Sequence, residues 1–268
     1  MTETSLELEG ETGAIHVRVW GAAEPAYSVV LAHGIGEHSG RYVHLAQRLV
    51  GDDAVVYAGD HHGHGKSDGD RMEIEDVDVM VRDLHLVVDR MRADHPGLPL
   101  VLIGHSLGGL ISTRFVQLYP GELTVLVLTD PFVGGNPAFE GLLAMDPMPS
   151  IPIDPGMLSR DPATGEDYLA DPLVHHGPLT RKTLNSVFAS VSQVAEGPSF
   201  GDLPTLWLHG ELDPLAPYDV TVKAFEHLAG SSLEQKMYEG AKHEILNETN
   251  KDEVIGDVLT FVRKQLGR

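Results

Sequence analysis

At 268 residues, 42% hydrophobic and 22% charged, the chain is long enough for one large globular domain or a core carrying an insertion, and its composition excludes disorder. Forty acidic residues against nineteen basic ones leave a formal charge of −21, a surface that repels nucleic acid and anionic membrane and suits neutral or cationic ligands. With no cysteine there is no disulfide, thiol nucleophile or thiolate metal site, and no run approaches the roughly 18 apolar residues of a membrane span.

The opening MTETSLELEGETG lacks the basic and apolar regions of an export signal, so the expected setting is cytoplasmic. Leu6 and Leu8 alternate with Glu7 and Glu9, and Ile15, Val17 and Val19 alternate with His16 and Arg18. That period of two predicts a pair of half-buried antiparallel strands turning at Gly10 to Gly13. From Ser28 the pattern changes to continuous apolar runs at 29–31, 55–57, 101–103, 125–128 and 206–208, as expected for parallel strands buried on both faces. Helical spacing falls between them: over Tyr42 to Val50, along the face Val77, Met80, Val81, Leu84, Val88 and Met91, over Leu110 to Tyr119, and around Phe225 and Leu228. A strand near Leu233 to Tyr238 precedes a last helix through Val254, Val258, Phe261 and Leu266, which Asn250 and Glu253 would open as a capping box. This alternation predicts a doubly wound α/β sheet with its ligand at the carboxyl ends of the strands.

One stretch breaks the rhythm. Pro131 to Pro204 carries eleven of the seventeen prolines, an apolar cluster in GLLAMDPMPSIPIDPGML, and a helical face at Leu184, Val187, Phe188, Val191 and Val194. It is expected to be a cap over the sheet's carboxyl edge, giving a core of 1–130 and 201–268 with a cap of 131–200. An apolar inner wall there suits an acyl chain, and the outer surface could touch lipid transiently.

The chemistry centres on LVLIGHSLGG, residues 100–109. A buried strand, the pattern Gly104-His105-Ser106-Leu107-Gly108 and a helix in succession describe a nucleophile elbow, in which only small residues fit two places either side of the serine. Ser106 needs a base and the base an orienting acid, in the order serine, acid, histidine. His243 in GAKHEILNE lies after the last strand, where an imidazole can reach Ser106. Two acids qualify by position: Asp213 in HGELDPLAP and Asp130 in LTDP. The amide of Leu107 can donate to a developing oxyanion, and Ile35, between Gly34 and Gly36, offers the second amide. Of the fifteen histidines, His61, His62 and His64 are the densest group, but they lack the spacing of a zinc site. His105 and His33 are expected to be structural, the latter orienting its loop, and His38 and His44 to have only surface or packing roles. No metal and no cofactor is expected.

Taken together, HGIGEHSGRY, DHHGHGKSDG, GHSLGG, DPLVHHG, HGELDPLAP and GAKHEILNE resemble the monoacylglycerol lipase and lysophospholipase group of the α/β-hydrolase fold, over nearly the whole chain and least in the cap. The resemblance implies a mostly parallel eight-stranded sheet flanked by helices, a triad of Ser106, Asp213 and His243, and an oxyanion hole from Ile35 and Leu107. It also implies that Glu37 and Arg41 help bind a glycerol head group. The reaction implied is hydrolysis of a small lipid ester, a monoacylglycerol, through an acyl-enzyme. The chain departs from the pattern at His62, where the group usually has arginine, and at Asp130-Pro131, where a small or apolar pair is usual. Asp130 is then a candidate contact to substrate hydroxyls. The rivals are a broad carboxylesterase or lysophospholipase and, of another class, a non-catalytic small-ligand-binding protein. A dehalogenase would need aspartate at 106, and Gly34-Ile35-Gly36 lacks the rest of a dinucleotide fingerprint.

Overall fold

The computed structural model describes residues 3–268. The alternating pairs at the start form β1 (Glu3–Glu9) and β2 (Ala14–Gly21), antiparallel across a turn closed by the Gly10 amide donating to the Gly13 carbonyl. The continuous apolar runs form β3 (Tyr27–Ala32), β4 (Ala54–Gly59), β5 (Leu100–His105), β6 (Val125–Thr129) and β7 (Thr205–Gly210), buried at every position. An edge strand, β8 (Leu233–Tyr238), is mostly exposed. The eight strands make one sheet in the order β1-β2-β4-β3-β5-β6-β7-β8, antiparallel at β1–β2 and β2–β4 and parallel from β4 onward.

Each face of the sheet carries its own apolar cluster. Helices α2 (Val77–Asp94), α3 (Leu107–Leu118) and α7 (Tyr218–Leu228) pack with Val30, Leu102, Leu126 and Leu128 on one side. On the other side α1 (Val43–Val50) and α8 (Lys251–Leu266) pack with Val29, Leu31, Val101 and Ile103. This alternation of inward direction along each strand is the period-two geometry of a pleated sheet.

Between β6 and β7 no residue joins the sheet. The segment holds α4 (Pro137–Leu143), α5 (Pro162–Ala170) and α6 (Arg181–Glu196), and its only pairing is one antiparallel bridge between Pro152 and Pro178. Its prolines have a local reason: Pro137 and Pro162 start helices behind the capping side chains of Asn136 and Asp161, a place where the missing N–H costs nothing. Helix α6 does more than cover the edge. Val187 and Val194 are buried in the same cluster as Leu107, Ile111 and Phe115, so the segment is anchored in the core.

The capping-box expectation at the last helix is corrected. Asn250 occupies the cap position, yet its side chain does not receive a backbone amide; its Nδ2 donates to the Glu253 carboxylate at 3.2 Å. The backbone carbonyl of Asn250 takes the Glu253 amide instead. His38 and His44 also have more than packing roles. His38 caps the 3₁₀ turn Ser39–Tyr42 through Nδ1 and meets Asp171 through Nε2 at 2.8 Å, tying the insertion to the β3 loop. His44 Nε2 lies 2.7 Å from the Leu246 carbonyl, fixing the loop after β8.

Candidate active site

Ser106 follows β5 directly and precedes α3, with φ 53° and ψ −117°, a left-handed backbone that a non-glycine residue adopts at a cost of order 1–3 kcal/mol. The surroundings hold it there. Its amide donates to the Thr129 carbonyl at 3.1 Å, and its own carbonyl receives the amides of Gly109, Leu110 and Phe132. The flanking glycines are sterically required: a Cβ on Gly104 would lie 2.5 Å from the Gly108 carbonyl oxygen, and one on Gly108 would run into the Ala32 and His33 carbonyls.

Strand ends bring the remaining groups to this turn. His243 Nε2 lies 2.8 Å from Ser106 Oγ, and its Nδ1 lies 2.8 Å from Asp213 Oδ2. The other oxygen of Asp213 accepts the amides of Leu215 and Ala216 at 2.8 and 3.0 Å, so the carboxylate is locked in one orientation. Burial opposes a charge on His243, but the adjoining Asp213 carboxylate outweighs it and lifts the imidazole pKa above its ordinary value. Burial likewise opposes ionisation of Asp213, and the facing His243 overrides it, keeping the acid below the usual carboxylate range. An imidazole so placed can take the serine proton and hold it.

Two backbone amides that could donate to an oxyanion face the same space. The amides of Ile35 and Leu107 donate to no protein acceptor among the described residues, and both residues line a cavity with Ser106. The Gly34–Ile35 peptide is fixed from behind, since His33 Nδ1 donates to the Gly34 carbonyl at 2.8 Å while His33 Nε2 accepts the His61 amide. In a trans peptide the N–H points opposite the carbonyl, so this bond turns the Ile35 N–H toward Ser106. His105, by contrast, packs behind the elbow with Nδ1 near Thr129, its pKa pushed down to about 3 by burial and the neighbouring His243.

Two cavities meet at Ser106. One is walled by Phe132, Phe139, Leu179, Leu184, Val187 and Leu215, all apolar. The other is bounded by Gly34, Glu37, Tyr168 and Glu244 as well as Ile153 and Leu158. Neither is lined by a lysine or an arginine. Glu37 reaches the second cavity while its oxygens accept the Gly34 amide, the Tyr42 hydroxyl and Arg41. Arg41 stands behind: it donates two parallel bonds to Glu244, at 2.6 and 2.8 Å, and one to Glu37 at 2.9 Å. Burial raises the Glu37 pKa despite Arg41, whereas for Glu244 the bidentate guanidinium outweighs burial and lowers it. Glu244 and Tyr168 are site residues that the motifs do not point to; the adjacency of Glu244 to His243 is the one signal available.

Asp130 lines neither cavity and is fully buried, so a contact to substrate hydroxyls is not what its position allows. It does stand with His209 and Asp213 in the one group of three metal-ligand types found among the described residues. That group does not fit a metal ion. His209 Nδ1 accepts from the Trp207 indole N–H and its Nε2 donates to the Ala216 carbonyl, leaving no free lone pair, and Asp213 is committed to His243.

A family model described as serine aminopeptidase, S33, matches residues 23–250. The chain is 34% identical over 252 residues to the monoacylglycerol lipase of Mycolicibacterium smegmatis, covering 91% of this chain and 90% of that one. It is 37% identical over 234 residues to the monoglyceride lipase of Homo sapiens, covering 84% and 77%. The crystal structure of Paleococcus ferrophilus monoacylglycerol lipase matches with a TM-score of 0.81 at 30% identity, covering 94% of this chain and 99% of that one. With an eight-stranded sheet in this order and an elbow at Ser106, the chain belongs to the serine aminopeptidase S33 family of the α/β-hydrolase fold.

Proposed function

We propose that the protein is a carboxylic ester hydrolase acting on monoacylglycerols, with Ser106 as nucleophile, His243 as base and Asp213 as the acid that orients it. The observation that carries this reading is the position of Ser106 between a wholly apolar cavity and a mixed one that also carries Glu37, Tyr168 and Glu244, which suits an ester with a hydrocarbon on one side and a diol on the other. Ser106 Oγ attacks the carbonyl carbon as His243 Nε2 takes its proton, and the oxyanion is met by the amides of Ile35 and Leu107. His243 returns the proton to the glycerol oxygen, which leaves. Water, deprotonated by His243, then attacks the acyl carbon, the bond to Ser106 Oγ breaks as His243 returns the proton to that oxygen, and the fatty acid leaves.

The acyl chain lies among Phe139, Leu184 and Val187, with the segment 131–200 as its cap, and the glycerol hydroxyls face Glu37, with Arg41 supporting that carboxylate from behind. The relatives named above, monoacylglycerol lipases at 30–37% identity, support the same substrate class. The absence of any cation lining the cavities favours this neutral ester over a phosphate-bearing lysophospholipid. A peptidase that captures an α-ammonium would need a free carboxylate there, and Glu37 and Glu244 are both engaged by Arg41. Half of the exposed large hydrophobic side chains, Met145, Ile151, Met157 and Leu169, fall on the cap, which makes it the face that meets aggregated substrate.

Hydrolysis of monolauroylglycerol beside methyl laurate, with Ser106→Ala as the blank, tests the reading. A glycerol-ester preference that the blank lacks is expected. Equal rates would make the protein a general carboxylesterase, and no turnover of either would leave a binding protein.

A further inference from the structure

Two carboxyl groups are buried at the carboxyl edge of β6 and β7, and their surroundings differ sharply. Asp213 has three donors: two backbone amides and the His243 ring. Asp130 has one. Its Oδ1 accepts the Gly210 amide at 2.8 Å, while its Oδ2 is buried without any hydrogen-bond partner. The carboxyl oxygens of Asp130 and Asp213 and a ring nitrogen of His209 lie within 4.8 Å of one another.

No cation is available to Asp130 from any element around it. On β5, His105 is neutral by burial, with its Nδ1 at Thr129. On β7, His209 sits 3.9 Å away but spends its proton on the Ala216 carbonyl, and burial holds its pKa down to about 4. His243, after β8, is turned to Asp213 and Ser106. The remaining charged or titratable neighbours are Tyr238, whose hydroxyl donates to Asp257, and Glu248, an acid that Arg160 already pairs. An orphaned hydroxyl in such a place costs about 1–3 kcal/mol, and an orphaned charge beside a second carboxylate costs far more.

We infer that Asp130 is a neutral carboxylic acid standing behind Asp213, a positioning residue that ties the end of β6 to the Gly210–Asp213 turn without adding a second negative charge to the relay. Asp130 itself adopts a left-handed backbone, φ 45°, at the junction where β6 leaves the sheet, so its side chain is held to this task by a strained turn. Burial and the Asp213 charge both raise its pKa well above the ordinary aspartate value, in line with the geometry. One negative charge then faces His243, and it is fixed on the carboxylate that the backbone amides orient. Ionisation of Asp130 at alkaline pH places two like charges side by side and loosens the turn that carries Asp213, which sets an upper edge to the active pH range.

The inference rests on Asp213 as the acid of the relay, and the first test does not depend on that assignment. An infrared difference spectrum, wild type minus Asp130→Asn at pH 7, is expected to contain the carbonyl stretch of a protonated carboxylic acid, and its absence overturns the inference. Asp130→Ala serves the same subtraction if the asparagine variant does not accumulate. The second test is the pH profile of kcat/KM. If Asp130 is neutral, the acidic limb set by His243 stays in place in D130N and the alkaline edge moves up. A downward move of the acidic limb by about one pH unit would show that a carboxylate had been removed from beside the relay, and would refute it.

Discussion

Asp213→Asn isolates what the acid does, because the structure dictates which way the amide will turn. One oxygen of Asp213 receives the Leu215 and Ala216 amides and the other faces His243 Nδ1. If the asparagine oxygen faces His243, its NH₂ confronts two backbone N–H groups, leaving both unsatisfied at about 1–3 kcal/mol each. The asparagine therefore keeps its oxygen toward Leu215 and Ala216 and presents NH₂ to the imidazole. Nδ1 must then accept, Nε2 carries the hydrogen, and Ser106 faces a donor where it needs a base. By analogy with other triads this wrong tautomer costs on the order of 10⁴ in kcat, about 5.4 kcal/mol of barrier, with the fold intact. Turnover of monolauroylglycerol and the melting temperature, measured together, check both halves. Activity within tenfold of wild type at an unchanged Tm would refute Asp213 as the orienting acid.

The elevated His243 pKa fixes the sign of the pH dependence: protonated imidazole cannot take the serine proton, so kcat/KM falls as pH drops through a midpoint above about 6.5. A midpoint below that value would mean that Asp213 does not dominate the ring's environment. Arg41→Met leaves the buried Glu37 and Glu244 carboxylates unpaired and should cost about 3–5 kcal/mol of stability, read from urea unfolding; a loss under 1 kcal/mol would show that the cluster tolerates its charge without the guanidinium. Leu184→Trp narrows the apolar cavity and should lower kcat/KM for long-chain monoacylglycerols while sparing short ones, and an unchanged chain-length profile would place the acyl chain elsewhere.

Most of what depends on local pattern was legible before the structure, the Asn250–Glu253 capping box excepted. The strands follow from apolar runs, and the Ser106 elbow from glycines whose Cβ atoms would collide with Gly108, Ala32 and His33. The distant pairings were not legible. Arg41 and Glu244 are 203 residues apart and His38 and Asp171 are 133 apart, and neither pair leaves a periodic or local signature. The helical face of α6 was visible as a stripe, but a stripe does not say what it packs on, and only the fold shows Val187 and Val194 sharing a cluster with α3. Asp130 is the instructive case. Its position at a strand end made it a candidate acid, whereas its role depends on how many donors reach it, a quantity set by three other chain segments.

The charged groups beside Ser106 pose an electrostatic problem that the arrangement resolves. In the proposed reaction an oxyanion develops close to two buried glutamates in a protein of net charge −21, and unpaired carboxylates there would raise the barrier. Arg41 sits between Glu37 and Glu244, and the Gly34 amide, the Tyr42 hydroxyl and the Asn247 amide take up further lone pairs. The same bonds organise the donor side. Glu37 holds the amide of Gly34 and His33 holds its carbonyl, so the residue just before the Ile35 N–H is fixed on both sides before any substrate arrives. An oxyanion donor contributes about a hundred- to thousand-fold in rate only when it needs no reorganisation. In the proposed reaction Glu37 thus has two consequences at once: it offers a carboxylate to a diol, and it fixes the loop whose next amide would meet the reacting carbonyl.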